Sequence, residues 1–159
     1  MQTIVLILFF TAFLGLILLI RNENHKKIKK TIDKILHSQP KLNATIDSVK
    51  CEIFTNGARN SNYKFRRADL YFFENGVLIV GILKLGNFKF YKSAILLSNN
   101  LEPKQNNPDI KITALRNINL NSFNEDVYIE FGFSKINDTN VEIRLKNLSE
   151  EYKTIIKFN

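Results

Sequence analysis

The sequence has little of the chemistry that enzymes and metal sites require. Its 159 residues include one cysteine, Cys51, and two histidines, His25 and His37. A single cysteine excludes an intrachain disulfide and a cysteine-based metal site, and both histidines precede the β-rich part of the chain. We therefore predict no enzyme activity, no catalytic residues, no metal and no cofactor. Cys51 is expected to be a small buried residue of a strand, and the histidines to be solvated.

Glycine is also scarce, and tryptophan is absent. The six glycines stand singly, and none belongs to a phosphate-binding loop. Aromatic and basic residues alternate in FKFYK, residues 88–92, which is a pattern that can stack single-stranded nucleic acid. In a strand, however, Phe88, Phe90 and Lys92 share one face, as in any half-buried sheet. We therefore predict core packing here and no nucleic-acid partner.

Charge is missing from seventeen consecutive residues, Ile4 to Ile20. As a helix they extend about 26 Å, close to the ~30 Å hydrocarbon core of a bilayer. A cleavable signal peptide has cations before its apolar run and small residues after it, whereas this run ends LILLIRNEN. The pattern predicts a retained transmembrane anchor over residues 1–21 rather than a cleaved signal.

Basic residues concentrate directly after this run. Between residues 21 and 34 the net charge is +4, from six basic and two acidic side chains, whereas residues 45–159 carry only +3. Because positive flanks stay on the cytoplasmic side, we predict a single-pass protein with its N-terminus outside, its domain in the cytoplasm, and membrane lipids as partners. The predicted membrane-surface cluster is Arg21, Lys26, Lys27, Lys29, Lys30 and Lys34.

A helical stripe follows within residues 22–44, the predicted juxtamembrane helix and linker. Ile28, Ile32, Ile35 and Leu36 recur at helical spacing, with lysines on the other faces. Such a helix could lie along anionic headgroups, continue the transmembrane helix into water, dock on the following domain, or pair with a second copy. The sequence leaves these alternatives open.

From Thr45 onward the periodicity changes from 3.6 to 2, which predicts about seven antiparallel strands. The clearest hairpin signal is Asn75-Gly76, between YKFRRADLYFF and VLIVGIL. A final stretch, LSEEYKTIIKFN, returns to helical spacing and places Leu148, Tyr152, Ile155 and Ile156 on one face. The fold class is therefore mainly β over residues 45–159, a seven-stranded barrel capped by a C-terminal helix.

This order of elements resembles the pleckstrin-homology-like superfold. The resemblance is carried by strand order, and by the stretch from Tyr63-Lys64-Phe65-Arg66-Arg67 through Asn75-Gly76, which is similar to the second and third strands of that family. The sequence departs from the family in having Tyr152 and no tryptophan in its last helix. In members that bind phosphoinositides, the resemblance implies a headgroup site near the first hairpin, which here would comprise Lys50, Arg59, Lys64, Arg66 and Arg67.

Most members of that superfold are adaptor modules, so the resemblance equally implies a protein partner. The resulting hypothesis is a membrane-anchored domain that binds lipid headgroups or a protein at the membrane surface. The alternatives are a structural subunit of a membrane assembly and an exported domain on an uncleaved anchor. The oligomeric state stays open.

Overall fold

The computed structural model describes residues 2–38, 42–56, 63–74, 76–98, 110–113, 115–133 and 139–156. The first element is a single helix, α1, which runs without interruption from Gln2 to Ser38. It is long and apolar enough to cross a membrane, by length and composition. From residue 3 to residue 27 none of its described side chains is buried. The apolar segment therefore projects away from the rest of the chain.

The rest of the described chain is mainly β-structure. The eight strands are β1 (Leu42–Asn56), β2 (Arg67–Phe73), β3 (Gly76–Leu85), β4 (Phe88–Ser98), β5 (Ile110–Thr113), β6 (Leu115–Asn119), β7 (Val127–Phe133) and β8 (Thr139–Leu145). A short helix, α2 (Glu150–Ile156), ends the described chain. The mainly β class, the apolar N-terminal helix and the C-terminal helix are thus confirmed.

Seven strands pair antiparallel in the order β4-β3-β2-β1-β8-β7-β6, and the four-residue β5 adds to β4 in parallel. The predicted barrel is not closed, because the described strands at the two edges, β5 and β6, form no ladder with each other. Thr113 and Leu115 are nevertheless only two residues apart, so the two edges approach within about 7 Å there. The segment predicted as one strand, DIKITALRNINL, therefore passes from one edge of a strongly curved sheet to the other.

The concave face of the sheet encloses the main core. Side chains alternate along each strand, so every second residue points inward. Leu70, Phe72, Ile79, Ile95 and Phe131 are among the fully buried residues of this face. Leu148, just before α2, and Ile156 of α2 are buried in this core, while Tyr152 and Ile155 of α2 pack at its margin. The predicted apolar face of the C-terminal helix is confirmed.

The outer face of β2, β3 and β4 is covered by the second half of α1. Ile28 and Ile32 are buried there against Leu78, Ala94 and Leu96, and Ile35 and Leu36 pack at the edge of the same cluster. Because the apolar stripe is buried on the sheet, it cannot at the same time lie on a bilayer. Of the alternatives that the sequence left open for this stripe, the structure shows docking on the β-domain. A fragment starting at residue 22 would keep every buried side chain that the structure describes.

Candidate functional site: a basic cleft at the hairpin end of the sheet

The two-residue turn Gly86–Asn87 joins β3 to β4 and defines one end of the sheet, called here the hairpin end. A row of paired residues crosses β1 to β4 near this end: Lys50 faces Arg67, Arg67 faces Ile82, and Ile82 faces Tyr91. The opposite end has its own row, from Leu42 through Phe73 and Gly76 to Ser98. Tyr91 and Ser98 are seven residues apart, so the two rows are separated by about 23 Å.

Two adjoining clefts at the hairpin end are lined by basic side chains. One, of about 540 Å³, contains Lys50, Arg66, Arg67 and Lys146. The other, of about 490 Å³, contains Lys64, Arg66, Arg67, Lys84 and Lys92. Since Arg66 and Arg67 line both, we treat them together as the basic cleft, which has seven cationic residues and one acidic residue, Glu52.

Most of these charges are not neutralised within the described part of the chain. Lys146 pairs with Glu52 at 2.9 Å and with Asp126 at 3.5 Å. Arg67 donates to the Ser48 carbonyl, and Lys92 donates to the Lys64 carbonyl, so these two are held by neutral acceptors. The remaining four cations are exposed and form no ion pair with a described residue: Lys50, Lys64, Arg66 and Lys84. The cleft therefore has an excess positive charge that suits an anion.

A buried carboxylate supports the strands that shape the cleft. Asp69 of β2 is fully buried; its Oδ1 accepts the backbone N–H of Ser48 at 3.0 Å, and its Oδ2 lies 2.5 Å from Lys89 Nζ. Ser48 has a positive φ of 57°, where β1 shifts register and turns from β2 toward β8. Asp69 thus connects the bend of β1 with the β3–β4 hairpin close to its turn.

Phe65 holds the segment that carries Lys64 and Arg66. Its ring is buried and lies over Gly81 of β3, where a Cβ atom would come within 2.5 Å of the ring Cγ. Glycine in a strand often marks such a close approach, and an aromatic ring covering it restores the missing packing. The ring therefore fixes the position of the two cations that flank it.

The helix contact places the basic cleft relative to α1. His25 Nδ1 accepts the backbone N–H of Tyr91 at 3.0 Å, and the two rings lie 4.9 Å apart. Ile28, Ile32 and their partners all lie beyond Tyr91, toward the far row. Helix residues before His25 therefore extend toward the hairpin end, and Ile20, the last residue of the apolar segment, lies about 7.5 Å farther in that direction. The prediction that His25 is solvated is wrong, because it is part of the docked interface.

Burial and neighbouring charges shift the pKa of several groups around the site. Burial raises the pKa of the Cys51 thiol to about 12, which makes this strand residue an unreactive thiol, as its predicted burial implies. Burial also lowers the pKa of His25, and the positive charge of Lys29 lowers it further. Desolvation lowers the pKa of Lys89, but the hydrogen bond and charge of Asp69 outweigh it, so the net shift is upward.

Four of the five residues predicted for a headgroup or partner site line the basic cleft: Lys50, Lys64, Arg66 and Arg67. Arg59 lies outside the described residues. The cleft also contains Lys84, Lys92 and Lys146, which the sequence analysis did not assign to it. The predicted membrane-surface cluster lies apart from the cleft, on α1: Arg21 directly follows the apolar segment, and Lys26, Lys27, Lys29, Lys30 and Lys34 are exposed along the docked half.

The described residues contain no group of three or more histidine, cysteine or acidic side chains placed to hold a metal ion. Comparison with known proteins finds no match to this chain among family models, curated proteins or solved structures. The site is therefore interpreted from its own geometry and charge.

Proposed function

We propose that this is a single-pass membrane protein whose β-domain is held against the bilayer and binds anionic lipid headgroups through the basic cleft. In this proposal the apolar segment of α1 spans the membrane, and the docked half of α1 fixes the domain beneath it. The charge excess after the apolar segment supports a cytoplasmic location for the domain.

The observation that carries the proposal is the direction in which the cleft faces. Arg67 lies in the same register row as Tyr91, where His25 docks. Lys84 and the segment with Lys64 and Arg66 lie on the side of this row toward which the apolar segment projects. Unpaired cations at that end would meet phosphate groups, and each cation near an anionic surface contributes about 1 kcal/mol.

The proposed headgroup site agrees with the resemblance to pleckstrin-homology-like domains. Seven antiparallel strands and a C-terminal helix support that relationship, and the basic cleft lies beside β1 and β2, where the resemblance implies it. The parallel β5 and the docked N-terminal helix are features of this chain's own. We propose the relationship as one of architecture.

The proposal predicts salt-sensitive binding of residues 22–159 to anionic vesicles. Replacing two exposed cleft residues, as Arg66→Gln with Lys84→Gln, should weaken partitioning by about thirtyfold, because two contributions of about 1 kcal/mol are lost. Co-sedimentation with phosphatidylglycerol-containing and pure phosphatidylcholine vesicles, at low and high salt, measures this.

A matched control changes the same number of charges elsewhere. Lys30 and Lys34 are exposed residues of α1, about 7.5 and 13.5 Å beyond His25 on the side away from the apolar segment. The double variant Lys30→Gln with Lys34→Gln should bind nearly as well as the unchanged fragment. Equal losses in both double variants would mean that net charge, rather than the basic cleft, drives binding, and no vesicle binding at all would favour a protein partner.

The orientation has a separate test in intact cells. If the domain is cytoplasmic, external protease leaves it whole until the membrane is opened. Digestion in unopened cells would place the domain outside and would support the alternative of an exported domain on an uncleaved anchor.

A further inference from the structure

The β3–β4 hairpin ends in two exposed apolar side chains. Phe88 is 72% exposed and Leu85 is 43% exposed. The predicted core packing of Phe88 is therefore wrong, because this residue flanks a turn at the surface of the domain. Gly86 occupies the first position of this turn with a φ of 57°, a conformation that suits glycine in tight hairpins. The tip is therefore a short, well-defined turn that presents a large aromatic residue and a leucine to its surroundings.

The two apolar residues lie on the same face of the hairpin. Leu85 pairs with Phe88, and the preceding pair is Lys84 with Lys89. Directly paired residues of antiparallel strands share a face, and successive pairs alternate between faces. The tip is thus amphipathic, with an apolar pair at its extremity and a cationic pair one step behind it.

The tip lies level with the end of the apolar segment of α1. Phe88 is three residues before Tyr91 on β4, so it extends about 10 Å beyond the row on which His25 docks. On α1, Ile20 lies about 7.5 Å beyond the same row. Helix and hairpin project in the same direction, so Phe88 reaches the level of the last apolar turn of α1.

The part of the hairpin directly behind the tip is held firmly. Lys89 pairs with the buried Asp69, and the backbone of Tyr91 is bound by His25 of α1. The tip is therefore fixed relative to the helix, and its exposed side chains are positioned before any contact with lipid.

From this geometry we infer that the hairpin tip, Leu85 to Phe88, inserts into the membrane interface beside α1. This inference rests on the proposal that α1 spans the membrane. Leu85 and Phe88 enter the boundary between headgroups and acyl chains, where amphipathic elements bury about 5–10 Å of their apolar face. Lys84 then lies among the headgroup phosphates, at the edge of the basic cleft.

The chain contains no tryptophan, so the fluorescence of a single introduced tryptophan reports on the surroundings of that position alone. The test compares Phe88→Trp with Leu42→Trp in the full chain reconstituted in nanodiscs. Leu42 is 48% exposed but lies in the far register row, about 33 Å from Phe88 along the sheet. Lipids brominated near the top of their acyl chains serve as contact quenchers.

We expect an about twofold loss of F88W fluorescence on changing to brominated lipid, and no change for L42W, because only the first ring lies within the interface. Leu85→Trp should behave as F88W does, and it replaces F88W if that variant is misfolded by circular dichroism. The inference is overturned if F88W and L85W are quenched no more than L42W. If salt-sensitive vesicle binding persists in that case, the basic cleft acts through headgroups alone and the proposed function stands.

Discussion

Asp69→Ala should destabilise residues 22–159 by about 3 kcal/mol. Breaking a buried ion pair by removing one partner costs about 3–5 kcal/mol, and Lys89 recovers part of this because it is 35% exposed and can reach water. The substitution also removes the acceptor of the Ser48 N–H at the bend of β1. Urea unfolding followed by circular dichroism measures the difference in free energy of unfolding.

Asp47 provides the matched control, because it faces the same lysine from the surface. Its carboxylate lies 3.6 Å from Lys89 Nζ but is 75% exposed, so Asp47→Ala should change the free energy of unfolding by less than about 1 kcal/mol. Comparable losses for the two variants would show that burial of Asp69 does not explain how much its ion pair with Lys89 contributes to the free energy of unfolding.

Gly81→Ala should destabilise the fragment by about 2 kcal/mol and weaken vesicle binding as well. The added Cβ meets the buried Phe65 ring at 2.5 Å from Cγ and 2.7 Å from Cε1, so the ring must move. Overpacking of this kind typically costs about 1–3 kcal/mol. Because Lys64 and Arg66 flank Phe65, a displaced ring also displaces these two cations of the basic cleft.

A smaller side chain at position 65 tests whether the loss in Gly81→Ala comes from steric conflict with the Phe65 ring or from alanine at position 81 in itself. In the double variant Phe65→Leu with Gly81→Ala, the introduced methyl group gains space, so the total loss should be smaller than the sum of the two single losses. Strict additivity of the free energies of unfolding would contradict the contact as the cause. Unchanged vesicle binding in G81A would show that Phe65 does not position the cations.

Local signals were sufficient for much of the β-domain. The change from helical to alternating periodicity at Thr45 predicts β-structure, and the pairing of Phe73 with Gly76 confirms a hairpin at the Asn-Gly signal. These features depend on neighbouring residues alone, which a sequence displays directly. The division of one predicted strand into β5 and β6 depends instead on which edge of the sheet each half pairs with. The sequence does not show this, because residues alternate in the same way on both edges.

The docking of α1 could not be chosen from the sequence. The stripe of Ile28 and Ile32 suits a bilayer, a second helix or a sheet equally, because each offers an apolar surface. Likewise, nothing in the sequence around His25 indicates that its ring accepts a hydrogen bond from the backbone N–H of Tyr91, sixty-six residues away. Contacts of such separation are decided by the assembled fold.

One further residue of the basic cleft could have been predicted from the register of the β2–β3 hairpin. Once Phe73 pairs with Gly76, the antiparallel register places Arg67 opposite Ile82, and Lys84 follows two residues later at the same end. This count would have added Lys84 to the predicted residues. Lys92 lies at the register shift between β3 and β4, and Lys146 follows β8, so neither is reachable without the bulge and the sheet order.

The direction in which the basic cleft faces is tested most directly by paramagnetic relaxation from the bilayer surface. The full chain is placed in nanodiscs containing a lipid with a gadolinium-chelating headgroup, and relaxation enhancement is measured for backbone amides along β3 and β4. We predict the strongest enhancement at Lys84 to Lys89, a decline through Tyr91, and little effect at Gly76 and Ser98. A uniform profile, or one strongest at Gly76 and Ser98, would contradict an orientation in which the cleft faces the lipid headgroups.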